Sequence, residues 1–121
     1  MTTTLKVGVA SPAAMKARTL AIASGRLKPA VGDPKVWFTS PESFARVLSN
    51  KNRALLDVIA ETQPESLQEL ALTTGRAPSN LSRTLRTMER YGFVLLHRGN
   101  RGRVRPEVPY RSISLTLDVG R

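Results

Sequence analysis

The sequence contains no cysteine and only one histidine, His97, among 121 residues. Disulfide bonds, thiolate nucleophiles and cysteine-based zinc or iron–sulfur sites are therefore excluded, and one histidine cannot build a metal site alone. Arg, Lys, Pro or Asp interrupts every apolar run well before the roughly 18 residues that a membrane span needs. These absences predict a cytoplasmic protein with no metal, no cofactor and no membrane partner.

Signatures of enzymatic chemistry are also missing. There is no glycine-rich phosphate-binding loop, no H-E-x-x-H pair and no cluster of acids. His97 has Leu96 and Arg98 as neighbours, so a nucleophilic dyad would need a distant partner. We therefore expect no enzymatic activity and no catalytic residue.

Acidic residues are scarce and unevenly distributed. The chain has 19 Lys and Arg against 9 Asp and Glu, a net charge of +10. Residues 1–75 carry 9 basic and 6 acidic side chains, whereas residues 76–111 carry nine arginines, no lysine and only Glu89 and Glu107. Such an excess of positive charge attracts polyanions, and arginine can grip phosphate or guanine with two hydrogen bonds. Residues 76–111 are therefore the candidate nucleic-acid segment.

The N-terminal third predicts a strand and a helix. Alternation of Leu5, Val7 and Val9 with polar or small residues indicates a strand over 3–9, and Ser-Pro and Gly signals bound a helix from Ser11 or Pro12 to Ser24. The basic, acid-free composition of residues 1–32 is also typical of a transit peptide, but the alternation disfavours that alternative. Loop residues at 26–35 predict two domains: an extension over 1–35 that contacts a dimer or other partner, and a DNA-binding domain over 36–121.

The second domain begins with a predicted strand over 36–39 and then four helices. The first starts at Ser40 and carries Phe44, Val47 and Leu48 inward, and the second runs from Lys51 to Glu61. We expect that second helix to bury Ala54, Leu55, Val58 and Ile59. A capping box at Ser66 and Glu69 opens the third helix, and Pro78 starts the fourth, which runs to about Tyr91.

The pattern after the fourth helix decides the subclass of fold. Residues 93–97 and 103–108 are both compatible with strands, and the Arg-Gly-Asn-Arg-Gly segment between them is typical of a turn. Ile113, Leu115 and Leu117 then alternate with polar residues, which predicts a last strand with one buried face. The expected fold is α+β, a winged helix-turn-helix with an N-terminal strand-helix extension.

The fourth helix predicts a DNA-reading surface. Leu81, Leu85 and Met88 share the inward face at 100° per residue, and the opposite face is polar and basic. The residues expected to read bases in the major groove are Ser79, Asn80, Ser82, Arg83 and Arg86. Those expected to contact the backbone or form the wing are Arg76, Arg98, Asn100, Arg101 and Arg103. The alternative for both surfaces is ordinary solvated charge.

Two sets of motifs carry a family resemblance. The stretches Ser66–Ala71, Leu81–Leu85 and Met88–Val94 resemble the helix-turn-helix of MarR-like and ArsR-like winged-helix regulators. Phe38, Ser43-Phe44, Asn52-Arg53 and the closing Val108–Ile113 segment are similar to a small prokaryotic family of winged-helix DNA-binding proteins. Members of that family occur as antitoxins beside TumE-type toxins.

The resemblance implies a homodimeric transcriptional regulator of a prokaryotic cell that binds double-stranded DNA on the nucleoid and represses its own operon. In the antitoxin case it also implies binding to a cognate toxin protein. The alternative is a protein inhibitor or adaptor whose main role is to bind that toxin, with only non-specific affinity for nucleic acid.

Overall fold

The computed structural model describes residues 4–119, which form an α+β chain divided into two compact units. The sheet unit comprises Met1–Ala45 with Ser112–Arg121, and the helical unit comprises Arg46–Arg111. In chain order the elements are β1 (Thr4–Val9), α1 (Pro12–Ala23), β2 (Val36–Phe38), α2 (Pro41–Val47), α3 (Asn50–Thr62), α4 (Leu67–Thr74), α5 (Pro78–Arg90), β3 (Leu95–Arg98), a 3-10 turn (Asn100–Gly102), β4 (Val104–Glu107) and β5 (Ser112–Thr116).

The sheet unit is built on a parallel sheet in the order β2-β1-β5. Val7 of the central strand is opposite Val36 on one side and Leu115 on the other. Parallel neighbours in sequence need a crossover, and α1 supplies the one between β1 and β2. The helix starts as predicted, because the Ser11 hydroxyl accepts a hydrogen bond from the backbone N–H of Ala14 at 3.1 Å.

Trp37 and Arg18 are associated on the sheet unit. The Trp37 ring lies over Gly8, where an added Cβ would be 2.6 Å from the ring. The Arg18 guanidinium lies 5.4 Å from the Trp37 ring centroid and forms an ion pair with Asp33 at 3.0 Å. Hydrogen bonds from the Ala30 N–H and from Arg18 hold the pKa of Asp33 below its usual range. These contacts attach the loop after α1 to the helix.

The division into units differs from the predicted boundary between residues 35 and 36. β1 is the central strand of the sheet, with β2 and β5 as its two neighbours. The N-terminal strand therefore belongs with β2 and with the C-terminal strand, because sheet hydrogen bonds join segments that are distant in sequence.

The helical unit has a continuous apolar core. Its buried hydrophobic residues are Leu48, Leu55, Leu56, Ile59, Leu70, Leu81, Leu85, Met88, Phe93 and Val94. The prediction for α3 was partly wrong, because Ala54 is exposed, Val58 is half-buried and Leu56 is buried instead. The helix turns its larger side chain inward, since burying leucine removes more apolar area from water than burying alanine.

Capping residues define the helix ends in this unit. Ser66 accepts a hydrogen bond from the N–H of Glu69 at 3.1 Å, and the Glu69 carboxylate accepts one from the N–H of Glu65, so the predicted capping box is present in a shifted form. Gly75 ends α4 in the left-handed conformation, with φ of 72°. Asn52, in the first turn of α3, donates through its side-chain amide to the carbonyl of Val47.

The antiparallel hairpin follows α5. Leu95 is opposite Glu107 and Arg98 is opposite Val104. The turn closes because Arg101 and Gly102 both adopt positive φ, 60° and 72°. The predicted strands and turn are confirmed.

Tyr110 fastens the chain beyond the hairpin. Its hydroxyl donates to the carbonyl of Phe93 at 2.6 Å, and burial raises the pKa of the phenol. The Val-Pro-Tyr-Arg-Ser motif thus includes a residue that joins the end of the helical unit to the residues just before the hairpin.

The last strand is present, but the expected buried face is wrong for two of its three residues. Ile113 is half-buried, whereas Leu115 is 37% exposed and Leu117, which lies beyond the strand, is 50% exposed. Among the strands of residues 4–119, β5 is at the edge of its sheet and has only β1 as a neighbour. Alternation identifies a strand, but it does not determine whether another layer covers the apolar face.

Candidate nucleic-acid interface

The outer face of α5 presents arginine and serine to solvent. Leu81, Leu85 and Met88 are fully buried on the inner face. Ser79, Arg83, Arg86 and Arg90 lie at helical spacing on the outer face of α5. All four are exposed. A face of this kind has the length and the hydrogen-bond donors to enter a major groove.

The arginines of this face are available to a ligand. The guanidinium groups of Arg83 and Arg90 make no hydrogen bond or ion pair with any of residues 4–119. Arg86 uses its Nε to donate to the Ser82 carbonyl at 3.3 Å, which leaves its two terminal nitrogens unengaged among the same residues. An arginine fork without an acid partner can donate two parallel bonds to phosphate or to guanine O6 and N7.

The first turn of α5 carries no acid and no side-chain cap. Ala77 stands at the N-cap position and Pro78 is the first helical residue. Two factors therefore favour an anion near this turn: backbone N–H groups without an intrahelical acceptor and the positive end of the helix dipole. α4 differs, because the Ser66 hydroxyl accepts a hydrogen bond from the N–H of Glu69 and Glu69 places an acid in the first turn.

Arg76 and Asn80 engage each other at the start of α5. The Arg76 Nη2 and Nε donate to Asn80 Oδ1 at 2.9 and 3.2 Å. Arginine only donates, so the asparagine must turn its carbonyl toward Arg76 and its amide nitrogen outward. Bidentate pairing with adenine needs both ends of the amide, so Asn80 in this arrangement can offer DNA a donor only.

Arg98 is also committed within the helical unit. Its Nη1 and Nη2 donate to the two carboxylate oxygens of Glu89 at 3.0 and 3.1 Å. The hydrogen bond from Arg98 holds the pKa of Glu89 below its usual range. This bidentate pair ties β3 to α5 and neutralises the helix's only acid.

The second acid of the arginine segment has a partner as well. His97 Nε2 lies 2.7 Å from Glu107 Oε1, on the face of the hairpin that also carries Arg105. Both carboxylates of residues 76–111 thus face a basic side chain of the same unit. Each carboxylate is thus engaged by a side chain of its own unit.

The hairpin carries three further uncommitted arginines. Arg101 lies in the turn, Arg103 follows it, and Arg105 points outward from β4 opposite His97. All three side chains are exposed and none bonds to another side chain of residues 4–119. Together with the three from α5 they form a set that we term the six free arginines: Arg83, Arg86, Arg90, Arg101, Arg103 and Arg105.

Part of the chain that carries this surface matches a known protein family. The family model described as HVO_A0114 matches residues 47–115, more than half of the chain. The chain belongs to the HVO_A0114 family. The designation names no activity, and neither a curated protein nor a solved structure matches the chain.

In this HVO_A0114-family chain the predicted site residues fall into two groups. The first group lies on exposed or half-exposed surface, and none of its side chains bonds to another side chain of residues 4–119: Ser79, Ser82, Arg83, Arg86, Asn100, Arg101 and Arg103. Those committed to a neighbour are Asn80, Arg76 and Arg98. Arg76, which was grouped with the backbone and wing contacts, lies just before α5 and is half-buried there.

Arg105 is a candidate that the motif analysis did not select. It stands between Val104 and Pro106, whose side chains face inward, so period-two alternation would have placed it on the outer face of the strand. The structure confirms that it is exposed.

Within residues 4–119, no three Asp, Glu or His side chains lie close enough together to hold a metal ion. No helix in that range is long and apolar enough to cross a membrane.

Proposed function

We propose that this protein is a sequence-specific DNA-binding transcriptional regulator of the winged helix-turn-helix type. In this proposal α5 is the recognition helix and the β3–β4 hairpin is the wing. The observation that carries it is the contrast between six free arginines and two acids, Glu89 and Glu107, that are both internally paired. A face made basic only for solubility normally mixes acids with lysines in solvent-exposed pairs.

The chemistry of α5 suggests how bases are chosen. Arg83 and Arg86 can each bridge O6 and N7 of a guanine, which is worth about 1–3 kcal/mol of discrimination. Asn80 supplies one donor, so we expect it to favour base acceptors such as guanine N7 or thymine O4 and not to pair with adenine through both ends. Ser79 and Ser82 are suited to phosphate oxygens or to base edges near the helix start.

Electrostatics sets the affinity. Six arginines that each neutralise a phosphate predict a slope of about −5 in a plot of log binding constant against log salt concentration. The hairpin arginines would lie along an adjacent minor groove or across phosphates, because narrow grooves attract arginine. Non-specific affinity is therefore expected to fall steeply with salt.

The biological role proposed is a homodimeric autorepressor, with an antitoxin role if a toxin gene is adjacent. The family resemblance of the helix-turn-helix motif supports this role. A dimer predicts two half-sites spaced by about 10 to 11 base pairs or a multiple, because both recognition helices must meet the same face of the duplex.

A fluorescence-anisotropy titration tests the proposal. The purified chain is titrated on its own upstream DNA at about 150 mM salt, near physiological ionic strength, with and without excess scrambled duplex. We expect own-promoter binding to survive the competitor. Arg83→Ala is expected to lose about 1–3 kcal/mol of that preference. Arg26→Ala, which removes the same charge from the loop after α1, is the matched control and is expected to keep it.

Two outcomes contradict the proposal. Equal competition by both duplexes would show that the six free arginines attract any polyanion, and it would favour the inhibitor or adaptor alternative. Equal losses for Arg83→Ala and Arg26→Ala would show that net charge, and not α5, determines binding. Deletion of residues 1–35 is not a clean test of that alternative, because it removes β1 from the centre of its sheet.

A further inference from the structure

β5 ends the sheet with an open edge. It pairs with β1 from Thr4↔Ser112 to Gly8↔Thr116, and no other strand of residues 4–119 lies on its far side. Its outer row of backbone N–H and C=O groups is therefore available to a further strand.

The two edges of this sheet differ in their protection. β2, at the opposite edge, has only three residues and follows Pro34 and Lys35. β5 has five residues, and the stretch 112–117 contains no charge, no proline and no glycine. Natural proteins guard exposed edges with short strands, lysine, proline or bulges. The β5 edge has none of these guards, as expected for an edge that is covered in the working protein.

Exposed apolar side chains accompany this edge. Ile113 and Leu115 lie on the same face as Leu5 and Val7, their partners in β1. Leu115 is 37% exposed, and Leu117 just after the strand is 50% exposed. A strand added at β5 would cover part of this surface.

A second copy of the chain fits the edge. Antiparallel pairing of β5 with itself satisfies two-fold symmetry, which requires one patch to be complementary to itself. With Ser114 on the symmetry axis, Ile113 is opposite Leu115 of the second copy, and Ser112 is opposite Thr116 of the second copy. Apolar side chains then meet apolar ones and hydroxyls meet hydroxyls, pairings that stabilise sheets.

Charge favours the same occupant. A chain with a net charge of +10 repels its own copy over most of its surface, but residues 112–117 are neutral. The flanking charges are of opposite sign, with Arg111 before the strand and Asp118 after it. Antiparallel pairing brings the Arg111 end of one strand near the Asp118 end of the other.

We propose that β5 is the homodimer interface, through which two chains form one continuous six-stranded sheet in the order β2-β1-β5-β5-β1-β2. The interface deepens the proposed function by supplying its dimer, but it does not depend on DNA binding. It lies on the sheet unit, whereas the six free arginines lie on the helical unit.

A complementary charge pair tests the interface. Ser114→Lys and Ser114→Glu each place two like charges across the proposed axis, and Ser114 is exposed, so either variant can fold. Light scattering during size-exclusion chromatography of the full chain, without DNA, is expected to give twice 13.3 kDa for wild type and 13.3 kDa for each variant. An equal mixture of the two variants is expected to return to the dimer mass. Thr39→Lys, beside the opposite edge, is the control and is expected to stay dimeric.

Three outcomes overturn the proposal. The first is a wild-type chain that is monomeric up to the highest soluble concentration, and the second is a pair of Ser114 variants that stay dimeric. The third is a mixture that fails to restore the dimer although circular dichroism shows that each variant is folded. In the first case, a strand from another protein is the better candidate for the edge. A Ser114 variant that is monomeric and still binds a single half-site has lost the dimer but kept DNA binding, so the interface and the DNA-binding proposal are tested separately.

Discussion

Of the twelve buried hydrophobic residues in the described chain, the helical unit holds ten and the sheet unit holds only Val7 and Phe38. α1 contributes no buried residue at all. The sheet unit is held instead by strand hydrogen bonds, by the Phe38–Phe44 ring contact and by the Arg18 contacts. A unit with so small a core gains more from a partner than one with a complete core.

The family match follows a related division. It covers residues 47–115, which include all but the first residue of the helical unit and all but the last residue of β5, and it leaves out β1, α1 and β2. The strand proposed to form the dimer thus lies in the matched segment, whereas the strand that holds it in the sheet lies outside. Our interpretation is that the helical unit supplies DNA recognition and the sheet unit supplies assembly.

The largest expected effect comes from opening the helical core. Leu85 of α5 is fully buried, and Leu85→Ala is expected to lower the free energy of unfolding by about 2–5 kcal/mol. Leu20→Ala, at a position that is 55% exposed on α1, removes the same atoms and is expected to stay within about 0.5 kcal/mol of wild type. Urea unfolding followed by circular dichroism measures both. Similar losses in the two variants would remove the contrast between the units.

A smaller effect is expected from crowding the sheet unit at Gly8. Gly8→Ala places a Cβ about 2.6 Å from the Trp37 ring, so the ring must move and the free energy of unfolding should fall by about 1–3 kcal/mol. Trp37 is the only tryptophan, so its fluorescence reports this unit directly. Gly32→Ala, where the nearest atom is the end of Lys6 at 3.5 Å, is the control. Unchanged Trp37 emission in Gly8→Ala would contradict the placement of the ring.

The elements were predictable from sequence because their signals are local. Caps at Ser11 and Ser66, the apolar stripe of α5 and the turn before Arg103 each involve residues within a few positions of one another. The parallel pairing of β1 with β5 was not predictable, because a period of two identifies a strand without identifying its neighbour.

The sequence predicted most residues of the candidate site, but it could not predict which of their side chains are free to bind a ligand. Alternation and helical spacing placed Arg83 and Arg86 outward. The same patterns could not reveal that Asn80 is bound to Arg76 or that Arg98 is bound to Glu89, because these pairs depend on where side chains lie after folding.

Tyr110 tests how the end of the helical unit is attached. Tyr110→Phe removes the hydrogen bond to the Phe93 carbonyl and is expected to cost about 0.5–1.5 kcal/mol. Burial raises the pKa of the Tyr110 phenol in the folded chain, so just above the ordinary tyrosine pKa of about 10 only the unfolded chain ionises. The free energy of unfolding of the wild type should therefore fall as pH rises beyond that value. The difference between the two proteins should therefore shrink at alkaline pH. A constant difference across pH 8 to about 11 would contradict the buried phenol.

The smallest expected effect concerns the pairing of acids and arginines in the helical unit. Glu89→Gln releases Arg98 as a seventh free arginine, so the salt slope on scrambled duplex should steepen by up to about 0.9. Glu107→Gln is the matched control, because it removes the same negative charge but releases His97 and no arginine. Anisotropy between about 50 and 200 mM salt measures both slopes. If the two variants steepened the slope equally, net charge alone would account for binding, and the pairing of Arg98 with Glu89 would have no part in limiting it.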